Sequence, residues 1–132
     1  MNGAYVAAGA LALVGAAIHG GVGEATIVRK LDAEALPRTR WGGPQTTLLY
    51  IRAAWHMLTI AFAGFGTALS VCAAREQSHA CAGVGMLAAG SFAGFAAIAL
   101  AGALPRSPRS LIRHPAPLLL SAVALLAWLR SR

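Results

Sequence analysis

Four long stretches of the 132-residue chain contain no lysine, arginine, aspartate or glutamate, and short charged segments separate them. These stretches cover residues 1–23, 53–74, 77–105 and 114–129. A helix that crosses the hydrocarbon core of a bilayer needs about 20 predominantly apolar residues, and the first three stretches reach that length. The fourth is shorter, but Leu111 and Ile112 extend it if the side chain of Arg113 reaches back to the interface.

The pattern predicts an all-α fold, in which residues 1–132 form one integral membrane domain, a bundle of four transmembrane helices. The predicted spans are about 4–23, 50–74, 80–104 and 111–129. Only 11% of the residues are charged and 58% are hydrophobic, whereas a soluble domain usually has about 25% charged residues. A signal peptide is the alternative at the N-terminus, but it normally begins with a basic segment, which Met1–Tyr5 lacks.

The basic residues predict the orientation of the bundle. Four spans place both termini on one side and the loops 24–49 and 105–113 on the other. The loop side has Arg29, Lys30, Arg38, Arg40, Arg106, Arg109 and Arg113, while the terminal side has Arg75, Arg130 and Arg132. Because cytoplasmic loops are enriched in Lys and Arg, we expect the loops in the cytoplasm and the termini in the periplasm of a bacterial inner membrane.

The same distribution explains the net charge of +7 without a nucleic-acid partner, because no soluble module remains to bind one. The lipid bilayer is the predicted partner, with a homo-oligomer or a larger membrane complex as further assemblies. Small residues recur at helical spacing on two spans, and such faces let helices approach closely in lipid. They are Ala8, Ala12, Gly15, Ala16, His19 and Gly23 on the first span and Gly83, Gly90, Gly94, Ala97 and Ala101 on the third.

Shorter patterns predict local features. The first helix should continue through Ala25–Leu36 until Pro37 ends it. The sequence Trp41-Gly42-Gly43-Pro44 indicates a turn before the second span, and Trp41, Tyr50 and Trp55 are candidate interfacial anchors. Phe62-Ala-Gly-Phe65 is echoed by Phe92-Ala-Gly-Phe95, which we interpret as packing rather than as an internal repeat.

Three histidines belong to the predicted cytoplasmic half of the bundle. His19 lies near the end of the first span, His56 lies in the second, and His114 opens the fourth. Glu24 follows His19 by five residues, and Arg52 precedes His56 by four, which places both on one helix face. Ionisable residues within spans are costly and usually functional, so we predict a shared polar site.

The ligand of this site is left open by the sequence, as is the question of whether the protein is an enzyme. Imidazole binds transition metals and haem iron, so haem or a metal held by His19, His56 and His114 is one hypothesis. Arg52 favours an anionic group instead, such as a carboxylate, a lipid phosphate or a haem propionate. A quinone and an amphipathic acid are further candidates, and acid–base chemistry would use His19 or His56 with Glu24 orienting it.

Two cysteines lie on the terminal side. Cys72 ends the second span and Cys81 begins the third, so the two thiols could meet across a short turn. Unpaired cysteines in spans behave as small apolar residues, which is the interpretation we favour from the sequence. A structural disulfide ranks second, because the predicted compartment permits one. Redox or metal chemistry with His79, which lies beside Cys81, ranks third.

The landmarks resemble those of a family of small uncharacterised four-helix bacterial inner-membrane proteins. In this chain they are Ile18-His19, Gly23-Glu24, Arg52-Ala-Ala-Trp55-His56 and Arg113-His114. The resemblance covers most of the chain and implies the four-span architecture, but it implies no particular activity. It gives weight to His19, Glu24, Trp55, His56 and His114 as a set. The chain departs from the family pattern at Pro115, where an apolar residue is expected after the histidine.

Three functions follow from these observations. The first is a binding or redox membrane protein with a ligand-binding site of His19, Glu24, Arg52, Trp55, His56 and His114. The second is an accessory or structural membrane subunit without chemistry of its own. The third is a small dimeric transporter, for which Gly20-Gly21-Val-Gly23 offers the one hint of a discontinuous helix.

Overall fold

The computed structural model describes residues 2–75, 78–103 and 115–132. It contains four main helices: α1 (Gly3–Ala17), α2 (Pro44–Ala74), α3 (His79–Ala103) and α4 (Ala116–Ser131). After α1 the chain continues without a break through a π-helical turn, Ile18–Gly23, and the short helical segments Glu24–Thr26 and Val28–Lys30. The prediction of a four-helix, all-α protein is confirmed, since the described residues contain no strand beyond one isolated bridge.

Three of the helical segments are long and apolar enough to cross a membrane. They are Gly3–Lys30, Pro44–Ala74 and His79–Gly102, with mean hydropathies of 1.7 to 1.9. The helix α4 is apolar but has 16 residues, close to the lower end of the length that spans hydrocarbon. The predicted start of its span at Leu111, like the loop 105–113, lies outside the described residues.

The helix α1 lies at the centre of the bundle, where it packs against both α2 and α4, and α3 packs mainly against α4. The predicted small face of α1 is buried at Ala8, Ala12 and Ala16. Two glycines let α1 and α2 touch through their backbones. A Cβ atom built on Gly9 would lie 2.9 Å from the carbonyl oxygen of Gly66, and one on Gly66 would lie 3.1 Å from that of Gly9.

The predicted small face of α3 points the other way. Gly83, Gly90 and Gly94 are exposed and have open space where a Cβ would stand, so this face does not pack within the described bundle, and its role in helix association stays a prediction. The buried face carries Phe92 instead, which is fully buried. Phe92 packs there against Phe62, Phe65 and Phe95, beside the buried residues Ala88, Ala89 and Ala96.

The two Phe-Ala-Gly-Phe segments meet in the middle of the bundle. The rings of Phe62 and Phe92 stack with centroids 5.3 Å apart, and Phe95 and Phe65 complete the cluster with centroid distances of 5.4 to 5.9 Å. Offset and edge-to-face pairs at these distances are favourable beyond the apolar area that they bury. The echo in the sequence therefore has a packing explanation, as predicted.

The end of the bundle that holds the termini is joined covalently. Cys72 and Cys81 form a disulfide between the last turn of α2 and the first turn of α3, with their Cα atoms 5.5 Å apart. The favoured interpretation of unpaired apolar cysteines is wrong, and the second-ranked disulfide is what the structure has. The Tyr5 hydroxyl donates to the carbonyl oxygen of Cys81 at 3.0 Å, so α1 is tied to the same point.

The loop after α1 differs from its prediction. The helix ends at Lys30 rather than before Pro37, because Leu31 is extended and the Asp32 carboxylate accepts a hydrogen bond from the Glu34 amide. Such local side-chain bonds offer the backbone an alternative to the helix. The predicted turn is present: Gly42 has φ +154°, a conformation that only glycine adopts readily, and Pro44 is the first residue of α2.

We expect the disulfide to stabilise the bundle, since it closes a short loop and restricts the unfolded chain by about 2–3 kcal/mol. The double variant Cys72→Ala/Cys81→Ala should therefore have a lower Tm in detergent than the parent protein. A reductant should lower the Tm of the parent and leave that of the variant unchanged. Full reaction of the unreduced parent with a thiol-alkylating reagent would contradict the bonded state.

Candidate functional site

The candidate site lies at the end of the bundle opposite the disulfide. Two elements supply it: the π-helical turn Ile18–Gly23 with the residues that follow it, and the N-terminal half of α2. The first contributes His19, and Glu24 directly after it. The second contributes Trp55, His56 and Thr59, which belong to successive turns of α2.

The π-helical turn explains how His19 and Glu24 reach the same side. In an α-helix two residues five apart are separated by about 140° around the axis, and they point in different directions. A π-helix bonds residue i to residue i+5, which places the fifth residue one turn above the first. Three of the six residues of this turn are glycines, which are weak α-helix formers, and this favours the departure from α geometry.

His19 is held on three sides. Its ring stacks on that of Trp55, with centroids 4.1 Å apart and planes 15° from parallel. Its Nδ1 atom lies 3.0 Å from the hydroxyl oxygen of Thr59, and the Trp55 Nε1–H donates to the His19 carbonyl oxygen at 3.0 Å. That last bond pairs a carbonyl in the π-helical turn, where the regular α-helical partner is displaced. The imidazole therefore has a fixed orientation.

The Thr59 hydroxyl has a single proton and two acceptors in reach, the Trp55 carbonyl oxygen at 3.3 Å and His19 Nδ1 at 3.0 Å. When the hydroxyl donates to Trp55, its bond with His19 needs the proton on Nδ1. A neutral ring in that tautomer keeps a lone pair on Nε2, which accepts a hydrogen bond.

Glu24 has one carboxylate oxygen without a hydrogen-bond partner. Oε2 is buried and has no donor within hydrogen-bond distance among the described residues. The nearest basic side chains are at 3.6 Å: His56 Nε2 from Oε2, and Arg29 Nε from Oε1. The Glu24 side chain is 18% exposed, while those of His56 and Arg29 are 50% and 72% exposed. Leaving a buried acceptor unpaired costs about 1–3 kcal/mol or more, so a hydrogen-bond donor to this oxygen would stabilise the folded protein.

Four of the six residues predicted for the site come together: His19, Glu24, Trp55 and His56. Arg52 does not join them, because its side chain is exposed on α2 and pairs with no acidic residue in the described part of the chain. His114 lies outside the described residues.

The structure adds Arg29 and the glycines of the π-helical turn to the residues predicted for the site. The position of Arg29, five residues after Glu24, was the signal in the sequence, but its charge was interpreted only as an indicator of membrane orientation. A Cβ built on Gly20 would lie 2.6 Å from Thr59 Cγ2, and one on Gly23 would lie 2.5 Å from Trp55 Cζ2. These two glycines therefore provide the space in which α1 meets the polar face of α2.

The described residues do not assemble the predicted metal centre. Across residues 2–75, 78–103 and 115–132, no three histidine, cysteine, aspartate or glutamate side chains are placed to share a metal ion. His19 also has its Nδ1 engaged by Thr59 and one ring face covered by Trp55. Two of the three predicted ligands, His19 and His56, thus belong to no group of three or more such side chains among the described residues, and His114 lies outside them.

An apolar barrier separates the site from the disulfide end. Phe62 contacts the His19 ring at a centroid distance of 5.7 Å and belongs to the phenylalanine cluster. Beyond it, the buried residues of α2 are Gly66, Leu69, Cys72 and Ala73. The ionisable groups of the site therefore face one end of the bundle and have no continuation toward the other along α2.

Comparisons of the chain with protein-family models, with curated proteins and with solved structures find no match. The family resemblance drawn from the short landmarks stays a prediction, and the interpretation of the site depends on its geometry.

Alanine substitutions in the π-helical turn should distinguish the effect of lost close packing against α2 from the effect of lost backbone flexibility. We expect Gly20→Ala and Gly23→Ala to lower the Tm, because each added methyl group meets a side chain of α2 at 2.5–2.6 Å. Gly21→Ala is the matched control, since nothing lies within 4 Å of its added Cβ. Thermal unfolding in detergent measures all three, and equal Tm values for the three variants would contradict the close contact between the turn and α2.

Proposed function

We propose that this is a four-span integral protein of the bacterial inner membrane that binds a small ligand at its cytoplasmic end. Three helices with the length and hydropathy of membrane spans support the insertion. The exposed large apolar side chains support it too, among them Met57, Ile60, Leu87 and Ile98, because such residues face hydrocarbon without cost.

Two independent features support the proposed orientation. Disulfides persist in oxidising compartments such as the periplasm, and Cys72–Cys81 lies at the end that holds the termini. The loop between α1 and α2 contains Arg29, Lys30, Arg38 and Arg40, and cytoplasmic loops have such an excess of basic residues. The covalent bond and the charge distribution thus support the same proposed orientation.

Single cysteines placed in the background Cys72→Ala/Cys81→Ala test this orientation. A membrane-impermeant maleimide added to intact spheroplasts should label His79→Cys, at the start of α3, and should not label Glu34→Cys, in the loop. Permeabilisation should expose both positions, which controls for reactivity. Labelling of Glu34→Cys in intact spheroplasts would reverse the proposed orientation.

The proposal of ligand binding depends on Glu24 Oε2, which has no hydrogen-bond partner among the described residues. Nearly all buried polar atoms in native proteins have a hydrogen-bond partner, and an exception needs an explanation. Ionisable residues within spans are expensive and usually mark function. The half-exposed ring of His56 lies beside this oxygen, so a ligand can approach from the bundle end. A bound ligand that supplies the absent hydrogen bond is the simplest account of the arrangement.

We expect the detergent-purified protein to retain a ligand that depends on Glu24 and His56. Native mass spectrometry, a visible absorption spectrum and elemental analysis together would detect an organic ligand, haem or a metal. Glu24→Gln and His56→Ala should lose most of the bound ligand, because each removes a group at the unpaired oxygen.

Matched controls come from the same chain. Glu34→Gln changes an exposed loop carboxylate, and His79→Ala changes a histidine at the opposite end, so both should retain the ligand. Equal content in all four variants, or a parent protein without any ligand, would contradict the proposal and favour the accessory-subunit alternative.

A further inference from the structure

We infer that the ligand is a cationic amphiphile whose ammonium group donates N–H hydrogen bonds to Glu24. The inference depends on the proposed ligand-binding function and specifies its chemistry. It reverses the charge that Arg52 suggested from the sequence, because Arg52 is not at the site and the carboxylate of Glu24 is.

The buried hydrogen-bonding atom that lacks a partner at the site is an acceptor. Among the described residues Glu24 Oε2 has no donor, and Nε2 of a neutral His19 ring offers a lone pair when Nδ1–H donates to Thr59. The Trp55 Nε1–H, which could have served a ligand as a donor, is already used by the His19 carbonyl. A ligand that matches this site therefore brings donors, as an ammonium or a hydroxyl does.

An organic ammonium fits the carboxylate better than a bare metal ion does. A metal such as Zn²⁺ usually takes three or four protein ligands in a fixed geometry, and no such group exists among the described residues. An ammonium needs no cage, because a single charge-assisted bond to a carboxylate is already about twice as strong as a neutral hydrogen bond.

The Arg29 side chain can make room for the ligand. Its Nε lies 3.6 Å from Glu24 Oε1, beyond hydrogen-bond distance, and the side chain is 72% exposed. Arg29 can therefore move toward solvent without breaking a hydrogen bond to Glu24, while His56 stays beside Oε2. A displaced Arg29 would remain close enough to meet an anionic group attached to the ammonium, as in a zwitterionic head group.

The apolar surroundings suit an alkyl chain. Ile18, Val22 and Ile27, which flank the site along the chain, all have exposed side chains. In a bilayer these residues meet acyl chains near the interface, so a ligand with an ammonium head and a hydrocarbon tail would match both parts of the surface. A lipid ethanolamine head group and a free long-chain amine share this chemistry.

Ligands that differ only in N–H donors test the inference on the full-length protein. In detergent, dodecylamine should raise the Tm and bind with at least about tenfold higher affinity than dodecyltrimethylammonium, which has the same charge but no N–H group. In phosphatidylcholine nanodiscs, added phosphatidylethanolamine should be retained selectively on native mass spectrometry if the source is a lipid. Selectivity for dodecylamine without retention of phosphatidylethanolamine would assign a free amine as the ligand.

Substitutions of Glu24 and Glu34 test whether dodecylamine binding depends on the Glu24 carboxylate. Glu24→Gln should lower the dodecylamine affinity about tenfold or more, whereas Glu34→Gln should leave it unchanged. Equal affinity of the parent protein for dodecylamine and its trimethylated analogue would overturn the inference, and this comparison needs no variant to fold.

The outcomes also separate this inference from the proposed function. A different ligand, such as haem, a metal or an anionic lipid, retained through Glu24 and His56 would overturn the ammonium inference and uphold ligand binding. Absence of any ligand that depends on these two residues would overturn both.

Discussion

The close approach of α1 to α2 is the contact on which the other features of the bundle depend. At one level Gly9 and Gly66 bring the two backbones together, and toward the end that holds His19 the glycines Gly20 and Gly23 receive side chains of α2. In lipid there is little hydrophobic drive between helices, so van der Waals packing of small residues and interhelical hydrogen bonds must hold them. Both are present at this interface, since the Trp55 indole also donates to a carbonyl of the turn.

The close approach of α1 to α2 and the π-helical turn together place His19 and Glu24 on the side that faces α2. An α-helical turn would direct Glu24 away from His19, and a bulkier residue at position 20 or 23 would push α1 off α2. With glycines in a π-helical turn, the carboxylate and the imidazole both face α2. The backbone carbonyl displaced from regular helix bonding is compensated by the Trp55 N–H, so the irregular geometry is stabilised by the residue that also stacks on His19.

The sequence predicted those parts of the structure that periodicity and hydropathy control, such as the four helices and the turn before α2. Glycine periodicity did not reveal which face of α3 is buried, because that depends on Phe92 meeting α2 across the bundle. Helix topology grouped His19 with Glu24, but the spacing of Arg52 and His56 implied a cationic site. A shared helix face is not a shared environment: Arg52 is exposed, while Glu24 is largely buried, with Arg29 and His56 each 3.6 Å from its carboxylate.

The two ends of the molecule differ in how completely their polar groups are paired. At the disulfide end the Tyr5 hydroxyl, the Asn2 amide and both cysteines all have partners, and the helices there are fixed by a covalent bond. At the other end His19 is held as firmly, but Glu24 Oε2 has no hydrogen-bond donor among the described residues. A buried carboxylate oxygen without a donor is an arrangement that a passive packing role does not require, because replacing Glu24 by an apolar residue would remove the cost of the unpaired oxygen. That cost is reason to expect that the carboxylate serves a bound partner.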